Sequence, residues 1–359
     1  MADIDSILRL AAKQEASDVH LQAGLPPVLR AQRRLFPLPD GPLAPEVIER
    51  LVLEIMTEAQ RQRFRERLEF DFSYGIAGVA RFRVNVFRQR GTVAAAFRRF
   101  PDDVPPLDSL GLPHAVMELT RLRRGFVLIT GAAGQGKSTT LASLIDRINT
   151  ERAAHIITLE DPIEYLFRSR QSVVAQRELG ADMLSFDAAL RAALREDPDV
   201  LLVGEMRDLP TIEAALAAAE TGHLVFATLH TRNAAQSVDR IVDVFPTHQQ
   251  QQTRVQLANT LSAVVTQQLL VRRDGAGLTL ATEVLLANAA VRNLIREAKT
   301  FQIQTAVQTG VAAGMVTMEA SLRGLWERGL ISSEDAMEHA LDQHEMARLL
   351  GRAGSAAGR

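Results

Sequence analysis

A glycine-rich stretch, GAAGQGKS at 131–138, constrains the fold of this chain more than any other feature. It satisfies the pattern G-x-x-x-x-G-K-[ST], follows the apolar run GFVLIT (125–130) and precedes a helix-like segment. In such a strand–loop–helix unit, backbone N–H groups turn inward around phosphates and the helix N-terminus adds positive potential. The sequence therefore predicts a parallel α/β sheet with a nucleoside triphosphate site at the end of one strand.

The predicted phosphate contacts come from the whole loop and the residue that follows it. We expect Lys137 to reach the β- and γ-phosphates and Ser138 to ligate Mg²⁺. The predicted nucleotide-binding residues are Gly131, Ala132, Ala133, Gly134, Gln135, Gly136, Lys137, Ser138 and Thr139.

The pattern of apolar residues divides the chain. Residues 1–100 indicate a small α+β domain, with helical spacing over 45–70 followed by three strand-like runs at 70–74, 80–87 and 92–100. Thr57 and Gln60 fit a capping box that opens a second helix. The segment 101–113 contains four prolines and is predicted to be an interdomain linker.

From about residue 114, short β-rich runs alternate with helical segments, which is typical of a parallel sheet with crossover helices. The predicted elements are strands at 125–130, 155–160, 200–205 and 224–230, helices at 186–196 and 210–220, and a hairpin at 268–286. We expect a doubly wound α/β domain over 114–345, mostly helical beyond 247 apart from the hairpin, and a disordered tail over 346–359.

Acidic residues follow two of the other predicted strands, where ligands of such sheets bind. Glu160 and Asp161 could orient Mg²⁺ or water, although an acidic turn alone is as often a solvated loop. After the strand 200–205, Gly204 stands where a typical phosphate-loop enzyme carries a Mg²⁺-directed aspartate, and Glu205 follows it. We therefore predict that Glu205 orients or deprotonates the attacking water, with Arg207 beside it.

Two histidines, His223 and His230, bracket the strand 224–230. They are too sparse for a zinc site, and a lone histidine is more often structural than functional. In the context of a phosphate loop we predict functional roles for both.

Several arginines lie on or beside the strands of the N-terminal domain. Arg81 and Arg83 alternate with Phe82 and Val84, so they share one strand face, and Arg98 lies on the next strand. One interpretation is a solvated strand face. The other is that some of them reach a γ-phosphate in trans, as arginine fingers do.

Composition excludes several classes. The chain has 359 residues, 41 basic and 43 acidic residues and a net charge of −2, which gives no general attraction to nucleic acid. Cysteine is absent, which excludes disulfides and thiolate zinc sites. Charged residues near the N-terminus interrupt any signal peptide, and the apolar stretch 214–229 is too short and polar for a membrane span. We expect a cytoplasmic protein without direct membrane insertion.

Over nearly its whole length, the chain resembles the secretion-ATPase superfamily, and within it the type IV pilus retraction ATPases. Seven stretches carry the resemblance. They are ASDVHLQAGLPPVLR (16–30), ARFRVNVF (80–87), GAAGQGKSTT (131–140), ITLEDPIEY (157–165), LREDPDVLLVGEMRD (194–208), TGHLVFATLHT (221–231) and VRNLIREAK (291–299). The loop departs from the more usual GPTGSGKS at Ala132, Ala133 and Gln135. The last stretch resembles one associated with retraction rather than assembly.

The resemblance implies a RecA-like P-loop NTPase domain, a PAS-like N-terminal domain and a homo-hexameric ring that holds ATP between domains. It implies that Glu205 is the catalytic glutamate, that Glu160 and Asp161 give acidic support, and that His223 and His230 sense the γ-phosphate or lie at an interface. It also implies docking at the cytoplasmic face of the inner membrane, on a pilus platform protein, with an accessory retraction ATPase as a further partner.

Four alternatives remain open from the sequence. A pilus-assembly or type II secretion ATPase would share the chemistry, but such chains usually carry a tetracysteine zinc module, and this chain has no cysteine. An accessory retraction ATPase would share nearly every motif. A RecA-type DNA motor should show a basic stripe, which the balanced charge does not favour. A scaffold that binds nucleotide without turnover would lack phosphate release.

Overall fold

The computed structural model describes residues 3–31, 34–101 and 103–356, with side chains to residue 351. The chain divides into two compact units, Met1–Asp103 with Pro162–Leu166, and Val104–Asp161 with Phe167–Arg359. The division falls inside the predicted linker 101–113. Leu107 and Leu112 of that stretch are buried in the second unit, because a single 3₁₀ turn directs these apolar side chains into its core. Most of the predicted linker is therefore packed as part of that unit.

The first unit is a six-stranded antiparallel sheet with three helices. Its elements are α1 (Ile4–Lys13), β1 (Asp18–Leu21), β2 (Val28–Ala31), β3 (Arg34–Pro37), α2 (Pro45–Glu54), α3 (Glu58–Arg67), β4 (Glu69–Ile76), β5 (Ala80–Gln89) and β6 (Thr92–Arg99). The strand order is β3-β2-β1-β6-β5-β4. The predicted α+β class and the meander of β4, β5 and β6 are confirmed, and likeness to a PAS domain stays a prediction.

The alternation along β5 explains how this sheet builds a core. Phe82 and Val84 are buried with Leu8 of α1 and Ile48 of α2, whereas Arg83 between them is exposed. The predicted capping box is present at the start of α3. The N–H of Thr57 donates to Gln60 Oε1 at 2.8 Å, and the N–H of Gln60 donates to Thr57 Oγ1 at 3.3 Å.

The second unit is a seven-stranded sheet with helices on both faces. Its elements are α4 (His114–Met117), β7 (Gly125–Thr130), α5 (Lys137–Glu151), β8 (His155–Glu160), β9 (Val173–Glu178), α6 (Phe186–Ala193), β10 (Val200–Val203), α7 (Leu209–Glu220), β11 (Leu224–Leu229), α8 (Ala234–Asp243), α9 (Thr247–Thr260), β12 (Leu261–Val271), β13 (Leu278–Leu286), α10 (Ala289–Arg296), α11 (Ile303–Thr309), α12 (Met318–Glu327), α13 (Ser333–His339) and α14 (Gln343–Ala356). The strand order is β13-β12-β7-β11-β10-β8-β9.

Six of these strands are parallel, and only β13 runs antiparallel. The carboxyl ends of the parallel strands therefore meet at one edge, which confirms the predicted α/β core. The hairpin is also confirmed, but β12 begins at Leu261 rather than 268. The run LSAVVT is apolar on both faces because β12 pairs with β7 inside the sheet, and such a run has no alternation to mark it as a strand.

The C-terminal segment differs from the disordered tail expected over 346–359. Helix α14 runs from Gln343 to Ala356, and Met346 is fully buried against Met318 and Leu322 of α12. Leu350, one turn further on, is partly buried against the same cluster, so an apolar face of the helix packs on the second unit. Ala357–Arg359 lie outside the described residues. Among the helices in the described part of the chain, none has both the length and the apolar composition to cross a membrane.

The hydrogen bond between Tyr74 and Asp5 connects β4 to α1. It predicts that the first unit loses stability at alkaline pH. Tyr74 Oη donates to Asp5 Oδ1 at 2.7 Å, and burial, followed by this bond, raises the pKa of Tyr74 to about 12. Because the folded pKa lies above the ordinary value of 10, the contribution to stability is complete below pH 10 and is lost as pH rises towards 12.

We therefore expect Tyr74→Phe to lower the free energy of unfolding by about 1 kcal/mol at pH 7. The difference from wild type should shrink between pH 10 and pH 12, as measured by urea denaturation. A constant difference across that range would contradict a role for the Tyr74 proton.

Candidate active site

The phosphate loop connects β7 to α5. Gly131 follows β7 with φ of 140°, and a Cβ atom there would lie 2.6 Å from the carbonyl oxygen of Gln267 on β12. Non-bonded atoms do not approach so closely, so the adjacent strand leaves room for glycine alone. The sheet thereby fixes where the loop leaves β7 and turns towards the N-terminus of α5.

Lys137 is the first residue of α5 and is only 9% exposed. Its Nζ donates to the carbonyl oxygens of Gly131 at 2.7 Å and Ala132 at 2.8 Å, so the side chain folds back over the loop. An ammonium next to the positive end of a helix is unfavourable unless negative charge balances it. An ammonium beside the N-terminus of a helix is the arrangement that binds phosphate in strand–loop–helix units.

Gln135, one of the unusual loop residues, is explained by the neighbouring strand. Its Oε1 accepts a hydrogen bond from the backbone N–H of Leu269 on β12. Ala132 and Ala133, the other two departures, are exposed, so their side chains do not shape the loop. Ser138 and Thr139 occupy the next two positions of α5, at the mouth of the loop.

Glu205 follows β10 and lies between two basic side chains. Arg207 Nη2 donates to Glu205 Oε2 at 2.6 Å, and His230 Nε2 lies 3.0 Å from Oε1. Burial raises the pKa of Glu205, but Arg207 and His230 together outweigh burial and hold the pKa below its ordinary value. Glu205 also raises the pKa of Arg207. A glutamate with a lowered pKa is a weak proton acceptor, so it is better suited to orient water than to remove its proton outright.

His230 connects the loop to Glu205. Its Nδ1 lies 3.4 Å from Lys137 Nζ, while its Nε2 faces the Glu205 carboxylate. The imidazole tautomer with hydrogen on Nε2 satisfies both contacts, because Nδ1 then accepts from the ammonium. Lys137, His230 and Glu205 therefore form one continuous polar chain at the carboxyl edge of the sheet.

The acidic residues after β8 lie at the same edge. Glu160 Oε1 accepts from Thr158 Oγ1 at 2.6 Å and from Gln176 Nε2 at 3.2 Å, which orients the carboxylate. The charge of Asp161 contributes to the raised pKa of Arg207, so these two groups are close.

Gly204 explains the missing aspartate. A Cβ there would lie 3.0 Å from the Leu159 carbonyl oxygen and 3.3 Å from Glu160 Cα, both backbone atoms that cannot rotate away. A side chain at position 204 would therefore be crowded by the end of β8, whereas Glu205, the next residue, has room for its carboxylate.

His223 lies at the opposite edge of the sheet and is not brought to this chain of contacts. It precedes β11, and its Nδ1 contacts the Ala218 carbonyl oxygen at 2.9 Å and Thr221 Oγ1 at 3.1 Å. The six residues of β11 separate it from His230 by roughly 20 Å. His223 therefore lies far from the phosphate loop of its own chain, and the two roles implied for it, γ-phosphate sensing or an interface, both stay predictions. The sequence spacing of seven residues should have indicated this distance, since it spans the whole strand.

The predicted arginines of the first unit lie in a row across its sheet. Arg83 on β5 and Arg98 on β6 are direct cross-strand partners. Arg83 pairs with Asp71 at 3.6 Å and Arg98 with Asp18 at 3.0 Å.

Arg81 and Arg30 complete the description of this sheet. Arg81 is half-buried and donates to Ser73 Oγ at 2.8 Å. Arg30, which the sequence analysis missed, pairs opposite Asp18 in the same row and lies 3.9 Å from it. The strand register that aligns Arg30 with this row is set by tertiary pairing and is not visible in the sequence.

The stretch VRNLIREAK forms α10 and the turn after it. Arg292 donates to the carbonyl oxygens of Ala258, Asn259 and Ala287, which caps the C-terminal end of α9. Val291 and Ile295 are buried on the opposite side. At least part of this stretch therefore stabilises the helical layer.

Comparison with known proteins identifies the family of this chain. The family model described as Type II/IV secretion system protein matches residues 1–345. The type IV pilus retraction ATPase PilT of Pseudomonas aeruginosa is 48% identical over 94% of this chain and 98% of its own. A twitching motility protein of Neisseria gonorrhoeae is 47% identical over 95% of this chain and 91% of its own.

A crystal structure described as the pilus retraction motor PilT with bound ADP superposes with a TM-score of 0.91 and 50% identity. The match covers 97% of this chain and all of that one. The chain belongs to the Type II/IV secretion system protein family, in its group of pilus retraction ATPases.

Proposed function

We propose that the chain is a Mg²⁺-dependent ATP-hydrolysing motor that drives retraction of type IV pili. The observation that carries this proposal is the polar chain Lys137–His230–Glu205. It links the group that holds the terminal phosphates to the carboxylate that orients the attacking water. A glycine-rich loop that binds nucleotide without hydrolysing it would not require His230 and Glu205 beside Lys137.

The roles of these residues follow from their contacts. Lys137 exchanges its loop carbonyls for β- and γ-phosphate oxygens, which are stronger acceptors because they are charged. His230 then loses the ammonium from its Nδ1, and this nitrogen can donate to the γ-phosphate once it takes up a proton, a form that the neighbouring Glu205 carboxylate favours. Glu205, held by Arg207, orients water for in-line attack on phosphorus, and cleavage gives ADP and inorganic phosphate.

The residues around the loop fit Mg²⁺ in the way in which phosphate-loop enzymes hold it. No group of three or more His, Cys, Asp or Glu side chains in the described part of the chain is arranged as a metal site. Mg²⁺ usually keeps several waters and binds one or two protein oxygens plus phosphates, so a full protein cage is not required. Ser138 is the proposed ligand, with Glu160, Asp161 and Glu205 binding metal-bound water. Bound Mg²⁺ would neutralise charge on the transferred phosphoryl group.

We further propose that the enzyme acts as a homo-hexamer in which Arg81, Arg83 or Arg98 reaches the γ-phosphate of a neighbouring subunit. The ion pair of Arg83 supports this, because both of its side chains are at least half exposed and such a pair is worth at most about 1 kcal/mol. The Arg83 guanidinium can therefore leave its carboxylate for a phosphate. Arg98 is also exposed, and the mostly buried Asp18 that it would leave keeps Arg30 at 3.9 Å. Direct cross-strand placement of two like charges is unfavourable by itself, and an anion shared between them would relieve it.

In this proposal the ring lies in the cytoplasm and docks on the inner-membrane platform protein at the base of the pilus. Retraction is supported by the names of the two relatives and by VRNLIREAK, whereas assembly is the nearest alternative. An accessory retraction ATPase can act as an additional partner.

The first prediction concerns the step after binding. Glu205→Gln removes the charge that orients water but leaves Lys137 and the loop intact, so kcat should fall by about 10²–10⁴-fold while ATP affinity changes little. Steady-state phosphate release and binding of a fluorescent ATP analogue measure the two quantities. Glu220→Gln, at the end of α7, is the matched control and should retain wild-type turnover. Unchanged kcat in Glu205→Gln would exclude Glu205 from catalysis.

The second prediction concerns nucleotide binding. Lys137→Ala removes a charged donor to phosphate, so affinity for ATP should fall at least about tenfold. The chain has three lysines, and Lys13→Ala, in α1, is the control that also removes one ammonium. Equal affinity in the two variants would discredit the assignment of the loop.

The third prediction separates retraction from assembly. Cells that lack the gene should carry more pili than wild type yet lose surface movement, because assembly continues without disassembly. Electron microscopy of pili and a surface-motility assay measure this outcome. Cells without pili would instead identify an assembly ATPase.

A further inference from the structure

Glu283, on β13, is a buried carboxyl that the proposed chemistry does not use. The residue is fully buried, and its Oε1 accepts a hydrogen bond from the backbone N–H of Ala234 at 2.7 Å. Its Oε2 is buried and makes no well-formed hydrogen bond within the described residues, although the Gln304 side chain lies near the carboxyl. The sequence analysis did not single it out, because one acidic residue in the apolar run ATEVLL gives no motif.

Stability does not explain a glutamate at this position. Its neighbours on β13, Thr282 and Val284, are buried, and a half-satisfied carboxyl in such surroundings costs more than an apolar side chain of the same size. Burial raises the pKa of Glu283 to about 7. The Ala234 N–H and the Gln304 side chain act to lower this pKa, whereas the buried Glu319 of α12 raises it.

The partner of Glu283 begins the helix that follows the catalytic histidine. Ala234 is the first residue of α8 and comes four residues after His230. His230 follows β11, which lies three strands away from β13 in the sheet. Helix α8 packs against β12 and β13, so the segment 230–234 crosses from one part of the sheet to another.

This crossing segment is held together internally. Thr231 Oγ1 lies 2.7 Å from Ser237 Oγ, and Ser237 Oγ donates to the Asn233 carbonyl oxygen at 2.8 Å. The Asn233 side chain in turn caps the helix at the N–H of Gln236. These bonds join the segment to α8, so a shift at the start of the helix moves the residues that precede it.

We propose that Glu283 is a positioning residue for His230: by holding the first N–H of α8 to β13, it sets the distance of His230 from Lys137 and Glu205. This inference rests on the proposed ATPase function. It requires an acceptor oxygen at position 283 and does not require a negative charge.

The closing experiment compares three substitutions in the full-length protein. Glu283→Met keeps the length but removes the acceptor, and kcat should fall ten- to hundredfold, since a displacement of about 1 Å in a catalytic group has effects of this size. KM for ATP should change less than twofold. Glu283→Gln keeps the acceptor oxygen and should restore kcat. Glu283→Asp shortens the side chain by one methylene and withdraws the acceptor oxygen, so its kcat should fall as in Glu283→Met. If Glu283→Met does not fold, Glu283→Asp takes its place in the test.

Hydrogen exchange of the peptide covering 230–237 gives a local readout. It should be faster in Glu283→Met than in wild type, and close to wild type in Glu283→Gln. Unchanged exchange in the Met variant would overturn the anchoring contact.

A double-mutant cycle with His230→Ala tests whether Glu283 acts through the histidine. If it does, Glu283→Met should lower kcat by less than twofold further in the His230→Ala background. An undiminished loss in that background, wild-type kcat in Glu283→Met, or failure of Gln to restore kcat would overturn the inference. Glu205→Gln is assayed alongside. Wild-type turnover in that variant would instead contradict the catalytic role of Glu205 in the proposed function.

Discussion

The buried ammonium of Lys137 at the N-terminus of α5 is the constraint around which the second unit is organised. Positive charge at the positive end of a helix has to be offset, and the loop carbonyls do so only in part. The residues around it are arranged on the same edge of the sheet. Glycine at 131 lets the loop form beside β12, and His230 and Glu205 continue the polar chain from Lys137 to the end of β10.

Local sequence patterns predicted those parts of the protein whose structure is determined by interactions between residues close together in the chain. The phosphate loop, the strands around it and the capping box at Thr57 are each specified by a few adjacent residues. The α/β core was predicted for the same reason, since runs such as GFVLIT and VLLV are apolar throughout and bounded by polar turns, whereas β1 to β3 mix polar and apolar residues. Of the predicted site residues, the structure groups those that lie at strand carboxyl ends, including Glu160, Glu205 and His230.

Tertiary contacts decided what the sequence did not reveal. The first half of β12 is buried on both faces and shows no strand alternation, and β1 to β3 are only four residues each. Met346 holds a helix where composition suggested a tail. His223 carries a motif-like context, but the length of β11 places it at the far edge. Glu283 could not be predicted from the sequence, because no motif surrounds it and its hydrogen-bond partner, Ala234, lies 49 residues away along the chain.

The hydrogen bond between the Gln135 side chain and the Leu269 N–H affects which residues can replace Gln135 in the loop. The next residue back on β12, Gln268, donates to the backbone carbonyl oxygen of His339 at the end of α13. Two adjacent residues of β12 are thus bonded to different parts of the unit, Leu269 through its backbone N–H to the loop and Gln268 through its side chain to the end of α13. The identity of residue 135 is accordingly governed by a strand and not by the triphosphate. An exchange at this position would therefore be transmitted through β12 to α13 as well as to the loop.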